Sequence, residues 1–428
     1  MRHRFDSMAK IAFTANLFEW YAFSLTVFMA VEVGRLFFPV ESEKAALMLS
    51  FSVFAGSYLA RPFGSVFFGI LGNRYGAAAA LKLSMVGMAA PASLIAFLPT
   101  YETAGYSATA ALVILKVLQG FSAGGETPLS GYFVSLNVVD KRRGLYCALV
   151  VVSGFLGMLL ASGIVFGLPY AAAALTWLLG DRAVGYSTQA WRWPFLLCIP
   201  LSLWIYSLRA SITAVPGERV GKAIEVRRAS PLIRALVLVA FMEVGIYTIF
   251  VWLPNYLHTY LGVPSFDARL TNVVALLIFC LSMLIAGYAA RHVHASHLVL
   301  IGVASVVCSS YPLFTLFQRG DLFSLLFAQT VFAVEMGSLV GVIFIVLADL
   351  FKDNWRSFGM ATTYSISTAV FGGTAPMVAT HLIKVTQVLT APAIYIMAFG
   401  VLALPVAYGI SVRQRKAPDF AGMSGRGV

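Results

Sequence analysis

Apolar stretches of about twenty residues recur from one end of this 428-residue chain to the other, separated by short polar breaks. A helix rising 1.5 Å per residue needs about 20 such residues to cross a hydrocarbon core about 30 Å thick. Twelve runs meet that requirement, at 10–38, 46–71, 83–99, 107–136, 145–168, 192–210, 232–257, 270–290, 298–317, 322–348, 358–383 and 393–411. The longest polar interruption, "SITAVPGERVGKAIEVRRAS", falls between the sixth and seventh runs and mixes Gly, Pro and both signs of charge, the composition of a solvated linker. The pattern predicts an all-α membrane protein of twelve transmembrane helices in two six-helix bundles. The first bundle covers 1–210, a central linker 211–230, the second bundle 231–412 and a short tail 413–428.

Composition agrees with a bilayer as the solvent. With 60% apolar and only 11% charged residues, the chain has too little polar surface to cover a water-soluble globule. The net charge of +12 raises the question of a nucleic-acid partner, and the positions of the charges answer it. If the N-terminus is cytoplasmic, 21 of the 30 Lys and Arg residues fall in cytoplasmic segments and 7 on the other side, while Arg61 and Lys116 lie within spans. A three-to-one excess is the positive-inside signature, and an even helix count then puts both termini in the cytoplasm. The basicity is topological and implies no nucleic acid. The first apolar run continues to Phe38 and carries Glu19, too long for a cleavable leader, so it is expected to stay as the first helix. Cys147, Cys198, Cys280 and Cys308 all lie in spans without paired spacing and read as packing residues, with no disulfide and no metal site implied.

Ionisable residues inside spans carry the chemistry, because each costs at least about 2.5 kcal/mol at mid-helix unless paired or wet. Those away from the span ends are Glu19, Arg61, Lys116, Glu126, Glu243 and Glu335. Glu19, Arg61 and Lys116 lie at similar depth, so one buried network in the first half is expected. Its role is either to handle substrate and protons or to brace the bundle. Glu126 sits in "QGFSAGGETPLSGYF", where Gly120, Gly124 and Gly125 admit a neighbouring backbone and Pro128 frees the carbonyl of Gly124. A carboxylate beside an opened turn reads as a protonation site, or else as a kink that shapes packing. Short loops supply a second pattern. "GILGNRYG" at 69–76, with Asn73 and Arg74, matches "GYAARHVH" at 287–294 in position, and "SLNVVDKRRG" matches "ADLFKDNWRS". Asp140 pairs with Asp353 and Arg143 with Arg356 at one offset of 213 residues, so the halves are repeats, as in many carriers built around a central site.

These motifs together resemble the major facilitator superfamily, and within it the metabolite:proton symporters that include proline/betaine and α-ketoglutarate permeases. The resemblance rests on "FEWYAF", "RPFGSVFFGILGNRYG", "QGFSAGGE", "WRWPFLLCIPL", "WLPNYL" and "PAIYIMA", and spans 10–412. It implies a carrier that takes up a small organic solute, a zwitterion such as proline or betaine or a small carboxylate, with protons, without a cofactor and without enzymatic activity, as a monomer in a bacterial inner membrane. The chain also departs from that family. Ala22, Asn73 and Leu136 stand where acids are expected, Ala77 and Ala78 replace a basic pair, and Arg291 replaces an aspartate. Both cytoplasmic gates have thus lost charged partners, which implies a population biased toward the inward-facing state.

Trp20 and Tyr21 in the first helix are expected to face Tyr247 and Trp252 in the seventh, as aromatic walls for a cationic solute. "RHVHASH" at 291–297 has histidine spacings unlike the usual ligand sets and reads as a solvated gate loop rather than a metal site. Two rival readings are a uniporter or exchanger of the same fold, suggested by the lost acids, and a transport-dead receptor. The charge asymmetry yields a direct test of topology. A reporter fused at Gly221 is expected in the cytoplasm and one at Glu102 outside; export of the Gly221 fusion overturns the twelve-helix orientation.

Overall fold

Apolar sequence that must satisfy its own backbone in lipid has only the helix or the closed barrel available, and this chain takes the helix. The computed structural model describes residues 2–40, 42–75, 77–124, 143–179, 189–210, 230–351 and 356–416. Twelve spans follow in order. α1 is Arg2–Phe28 continued as Ala30–Phe37; α2 is Glu43–Leu59 continued as Arg61–Tyr75; α3 is Ala77–Leu94; α4 is Tyr106–Ala123; α5 is Arg143–Leu179; α6 is Cys198–Ala210. In the second half, α7 runs from Ser230 to Leu261, α8 is Ser265–Ala289, α9 is Ala295–Phe317, α10 runs from Leu322 to Leu350, α11 from Arg356 to Thr386, and α12 is Ala391–Lys416. Eight helices among the described residues are long and apolar enough to cross a membrane unbroken, and the bent α1 makes a ninth. α2 falls short because a turn at Ala60 divides it.

The packing repeats. α1 lies on α5, α2 on α4 and α3 on α6; in the second half α7 lies on α11, α8 on α10 and α9 on α12. Across the halves α5 meets α8 and α2 meets α11, the same contact made twice under exchange of the two bundles. α5 departs from its expected end near 168. The run "AAAALTWLL" has no breaker, so the helix continues to Leu179, about 55 Å in all.

Breaks in the spans have identifiable causes. α7 loosens into a π turn over Tyr247–Trp252 just before Pro254, and α11 into another over Thr368–Gly372 just before Pro376. Each proline lacks the N–H that would bond the carbonyl four residues back, and a π turn redistributes the bonding. α1 bends by 66° around Met29 with no proline present. There Ser50 Oγ on α2 donates to the Ala30 carbonyl at 2.6 Å, which satisfies a backbone acceptor at the bend.

One end of the molecule, where α1 turns into α2 and α7 into α8, is tied between halves. Arg269 on α8 pairs with Glu32 on α1 at 2.6 Å and donates to the Val165 carbonyl on α5 at 3.2 Å. Asn272 donates to Ser162 at 3.1 Å, and Asn255 on α7 to the Val27 carbonyl at 3.1 Å.

Glycines set the approach of α2 to α4. A Cβ at Gly120 would collide with the Ser57 carbonyl, one at Gly64 with the Phe121 carbonyl, and one at Gly124 with the Arg61 carbonyl. At the same crossing Ser65 Oγ on α2 donates to the Gly124 carbonyl at 2.7 Å, while Pro128 lies outside the described residues. Gly120→Ala must push the two backbones apart, with an expected loss of about 1–3 kcal/mol. Gly56 on the same α2 has nothing within 4 Å of a would-be Cβ, so Gly56→Ala is the matched comparison and is expected to be neutral or slightly stabilising. Thermal unfolding in detergent reads both; equal melting temperatures would contradict the close crossing.

Candidate functional site

Charge inside the bundles gathers where α1, α2, α4, α7 and α11 meet. Among the described residues the fully buried ionic side chains are Glu19, Arg61, Lys116 and Glu243. Arg61 begins the second segment of α2, held in place by the α2–α4 crossing. Its Nη2 lies 3.5 Å from Glu19 Oε1, longer than the 2.7–2.9 Å of a tight charged hydrogen bond. Its guanidinium sits over the rings of Tyr58 at 4.0 Å and Phe23 at 4.4 Å, while its Nε finds no acceptor. Helical spacing explains the cluster: Phe23 follows Glu19 by four residues and Tyr58 precedes Arg61 by three, so each aromatic shares a face with one member of the ion pair. Aromatic faces compensate a desolvated cation by about 2 kcal/mol, a useful share of what burial removes.

From Tyr58 the site crosses to the other half. Tyr247 Oη donates to Tyr58 Oη at 2.7 Å, and their rings meet edge to face at 5.4 Å. Trp20 stacks on Tyr247 at 6.3 Å, and Phe54 contacts both tyrosines, at 4.6 Å and 6.0 Å. One turn before Tyr247, Glu243 Oε1 accepts from Thr368 Oγ1 in the α11 π turn at 2.9 Å. Gly372 leaves the space these groups occupy: a Cβ there would lie 2.7 Å from the Tyr247 ring and 2.9 Å from Glu243 Oε2. π turns recur at functional sites, and here both face the same cluster.

The candidates do not all converge. Lys116 Nζ donates to Gln119 Oε1 at 2.8 Å and lies 4.9 Å from the Phe23 ring, and among the described residues no carboxylate comes within 4.0 Å of it. Trp20 and Tyr247 meet between the halves, whereas Tyr21 and Trp252 turn away. Tyr21 Oη donates to the Pro194 carbonyl, and Trp252 Nε1 to Thr380 Oγ1 with its ring stacked on Tyr256. Neighbouring helical residues lie about 100° apart, so Trp20 and Tyr21 could not share one face. Glu335 stands apart from the cluster and accepts from Ser309 on α9 at 2.7 Å. Glu126, Asp140 and Asp353 lie outside the described residues, as do the side chains of Asn73, Arg143 and Arg356; Arg74 is exposed beside Tyr75.

Comparison with known proteins settles the family. The profile of the Major Facilitator Superfamily matches residues 11–376. The chain belongs to the Major Facilitator Superfamily. It is a membrane transporter, not an enzyme. An ectoine/proline transporter of Corynebacterium glutamicum is 30% identical over 414 residues, 91% of this chain and 80% of that protein. A proline/betaine transporter of Escherichia coli is 28% identical over 93% of this chain and 83% of its own length. A glycine betaine/proline/ectoine/pipecolic acid transporter of Dickeya dadantii is 27% identical over 93% and 82%. Among solved structures, a D-xylose–proton symporter superposes with a TM-score of 0.74 at 16% identity, covering 95% of this chain and 97% of that one. That likeness is one of fold.

For this superfamily member, sequence reading passed over Tyr58, Phe23, Gln119 and Thr368. The first three follow from i, i+3 and i, i+4 spacing around the buried charges. Thr368 has no such signal, because the π turn rotates it toward α7.

The ion pair yields a stability prediction. Arg61→Gln leaves Glu19 buried without its cation and is expected to destabilise by about 3–5 kcal/mol, whereas Glu19→Gln combined with Arg61→Gln should recover part of that loss. Thermal unfolding in detergent checks it; equal melting of the single and double variants would show that the two charges are not coupled.

Proposed function

We propose that the chain carries a small zwitterionic solute of the proline, betaine or ectoine kind across a bacterial inner membrane, by alternating access and together with a proton. The observation that carries this reading is the buried Glu19–Arg61 pair set against the Tyr58–Tyr247 contact between the halves. The solute class comes from the relatives, whose names include proline, betaine and ectoine. Support from the site itself is chemical: buried cations suit a carboxylate, and the Trp20, Phe54 and Tyr247 rings suit a quaternary or ring ammonium.

In the orientation that the positive-inside rule favours, the α1–α2 end faces outward. The ties between Arg269 and Glu32 and between Asn272 and Ser162 then close the outer side. That closure agrees with the inward bias expected from the lost gate aspartates.

Coupling follows from the ion pair. A proton on Glu19 removes its attraction for Arg61, and the guanidinium, already lacking an acceptor at Nε, seeks another partner. That change in pairing gives the two states of the carrier different energies, which is what a ligand must do to shift a conformational equilibrium. Glu243, one turn before Tyr247 on α7, offers a second buried carboxyl.

Proteoliposomes test the reading. The protein is expected to accumulate labelled proline or glycine betaine when the interior is alkaline, and Glu19→Gln to abolish accumulation while keeping solute exchange. Accumulation that survives in Glu19→Gln but is lost in Glu126→Gln moves the coupling acid to Glu126. Uptake indifferent to the proton gradient in the unaltered protein replaces symport with uniport or exchange, the reading suggested by Ala22, Asn73 and Leu136.

A further inference from the structure

Among the described residues two cations are buried in the first half, Arg61 and Lys116, and they are not equivalent. Arg61 has a carboxylate at 3.5 Å. Lys116, only 1% exposed, has the neutral oxygen of Gln119 and the face of Phe23, with no carboxylate within 4.0 Å among the described residues. An ammonium in a low-dielectric interior needs an anion, and a single amide oxygen is a poor substitute for one.

Beside Lys116 there is space. A small cavity of about 10 Å³ is lined by Thr26, Ser50, Phe54, Leu112 and Lys116, at the level where α1 bends around Met29. That volume suits about one water molecule, so a larger group enters only when a wall moves. The wall toward the other half is Phe54, whose ring also touches Tyr58 and Tyr247. The cavity and the tyrosine contact between the halves therefore share one side chain.

Hydroxyls at the cavity differ in freedom. Ser50 holds a short bond of 2.6 Å to the Ala30 carbonyl. Thr26 has only a long back-bond of 3.2 Å to the Phe23 carbonyl, so its hydroxyl can turn toward a bound anion at little loss.

We infer that the cavity under Lys116 is the carboxylate subsite of the carrier, with Lys116 as the counter-charge and Thr26 as a hydroxyl donor, while the cationic end of the solute lies across Phe54 toward Tyr247 and Trp20. The inference rests on the solute class proposed above. It divides the labour between the two buried cations: Arg61 belongs to the charge switch with Glu19, and Lys116 reads the solute.

Glycine betaine and choline are the probes, because they share a trimethylammonium group and differ in the carboxylate. Binding is measured by calorimetry on the full-length protein in lipid nanodiscs. The unaltered protein is expected to bind glycine betaine at least tenfold more tightly than choline. Lys116→Met should bring the two affinities within about threefold of each other by weakening glycine betaine alone. Thr26→Val, which keeps the wall of the cavity, is expected to weaken glycine betaine several-fold and leave choline unchanged, and it stands as the test should Lys116→Met fail to fold. Discrimination that persists in Lys116→Met, or that is undiminished in Thr26→Val when that variant decides, overturns the subsite. Equal binding of the two probes by the unaltered protein overturns it as well, with a betaine-type solute still standing. Binding of neither glycine betaine nor proline by the unaltered protein removes the solute class itself, and the subsite with it.

Discussion

Arg61 is a full charge that cannot be neutralised, held where hydrocarbon surrounds the bundle, and the centre of the molecule is arranged around it. Its position requires α2 to pass α4 closely, which Gly64, Gly120 and Gly124 allow. Its charge requires Glu19 and the faces of Phe23 and Tyr58. Tyr58 is thereby fixed with its hydroxyl toward Tyr247 on the other half. One buried guanidinium thus links the packing of the first bundle to the only tyrosine–tyrosine hydroxyl contact described between the two.

The same logic explains why the helices around this centre are irregular. A continuous α-helix bonds most of its own backbone and leaves few of those groups for a solute or a neighbour. The π turns of α7 and α11, each placed before a proline, bring Tyr247 and Thr368 toward one point. The bend of α1 opens a small space beside Lys116. In each case the freed or displaced backbone is buried in protein, which is the condition under which a membrane tolerates it.

Much of this was legible in the sequence, and the limits have physical causes. Hydropathy is a one-dimensional signal that bilayer thickness imposes, so twelve spans and the family motifs could be read directly. Buried charges were equally visible, because Glu19, Arg61, Lys116 and Glu243 stand out against apolar surroundings. Orientation about the helix axis was harder. Tyr21 and Trp252 carry the right chemistry but point into their own bundles, toward Pro194 and Thr380. Tyr58 carries the same chemistry, and its spacing of three residues from Arg61 turns it toward the centre, a signal that Tyr21 and Trp252 lack. The end of α5 was missed because "AAAALTWLL" contains neither a charge nor a breaker to mark where lipid stops.

The two halves repeat in packing but not in charge. Each contributes a fully buried carboxyl from its first helix, Glu19 on α1 and Glu243 on α7, yet among the described residues both fully buried cations belong to the first half. At the contact between the halves the second contributes a neutral group, Tyr247. Contact across the centre is therefore a hydroxyl–hydroxyl bond, worth about 1 kcal/mol net, and not an ion pair. The tie of Arg269 to Glu32 is ionic, but it is partly exposed, where a charge pair gains little and is readily exchanged for hydration. Each of these two ties is weak, while the expensive interactions, those of Arg61 with Glu19 and of Lys116 with its surroundings, stay inside the first bundle. The strong electrostatics thus belong to one half, and these two polar ties that join it to the other are weak ones.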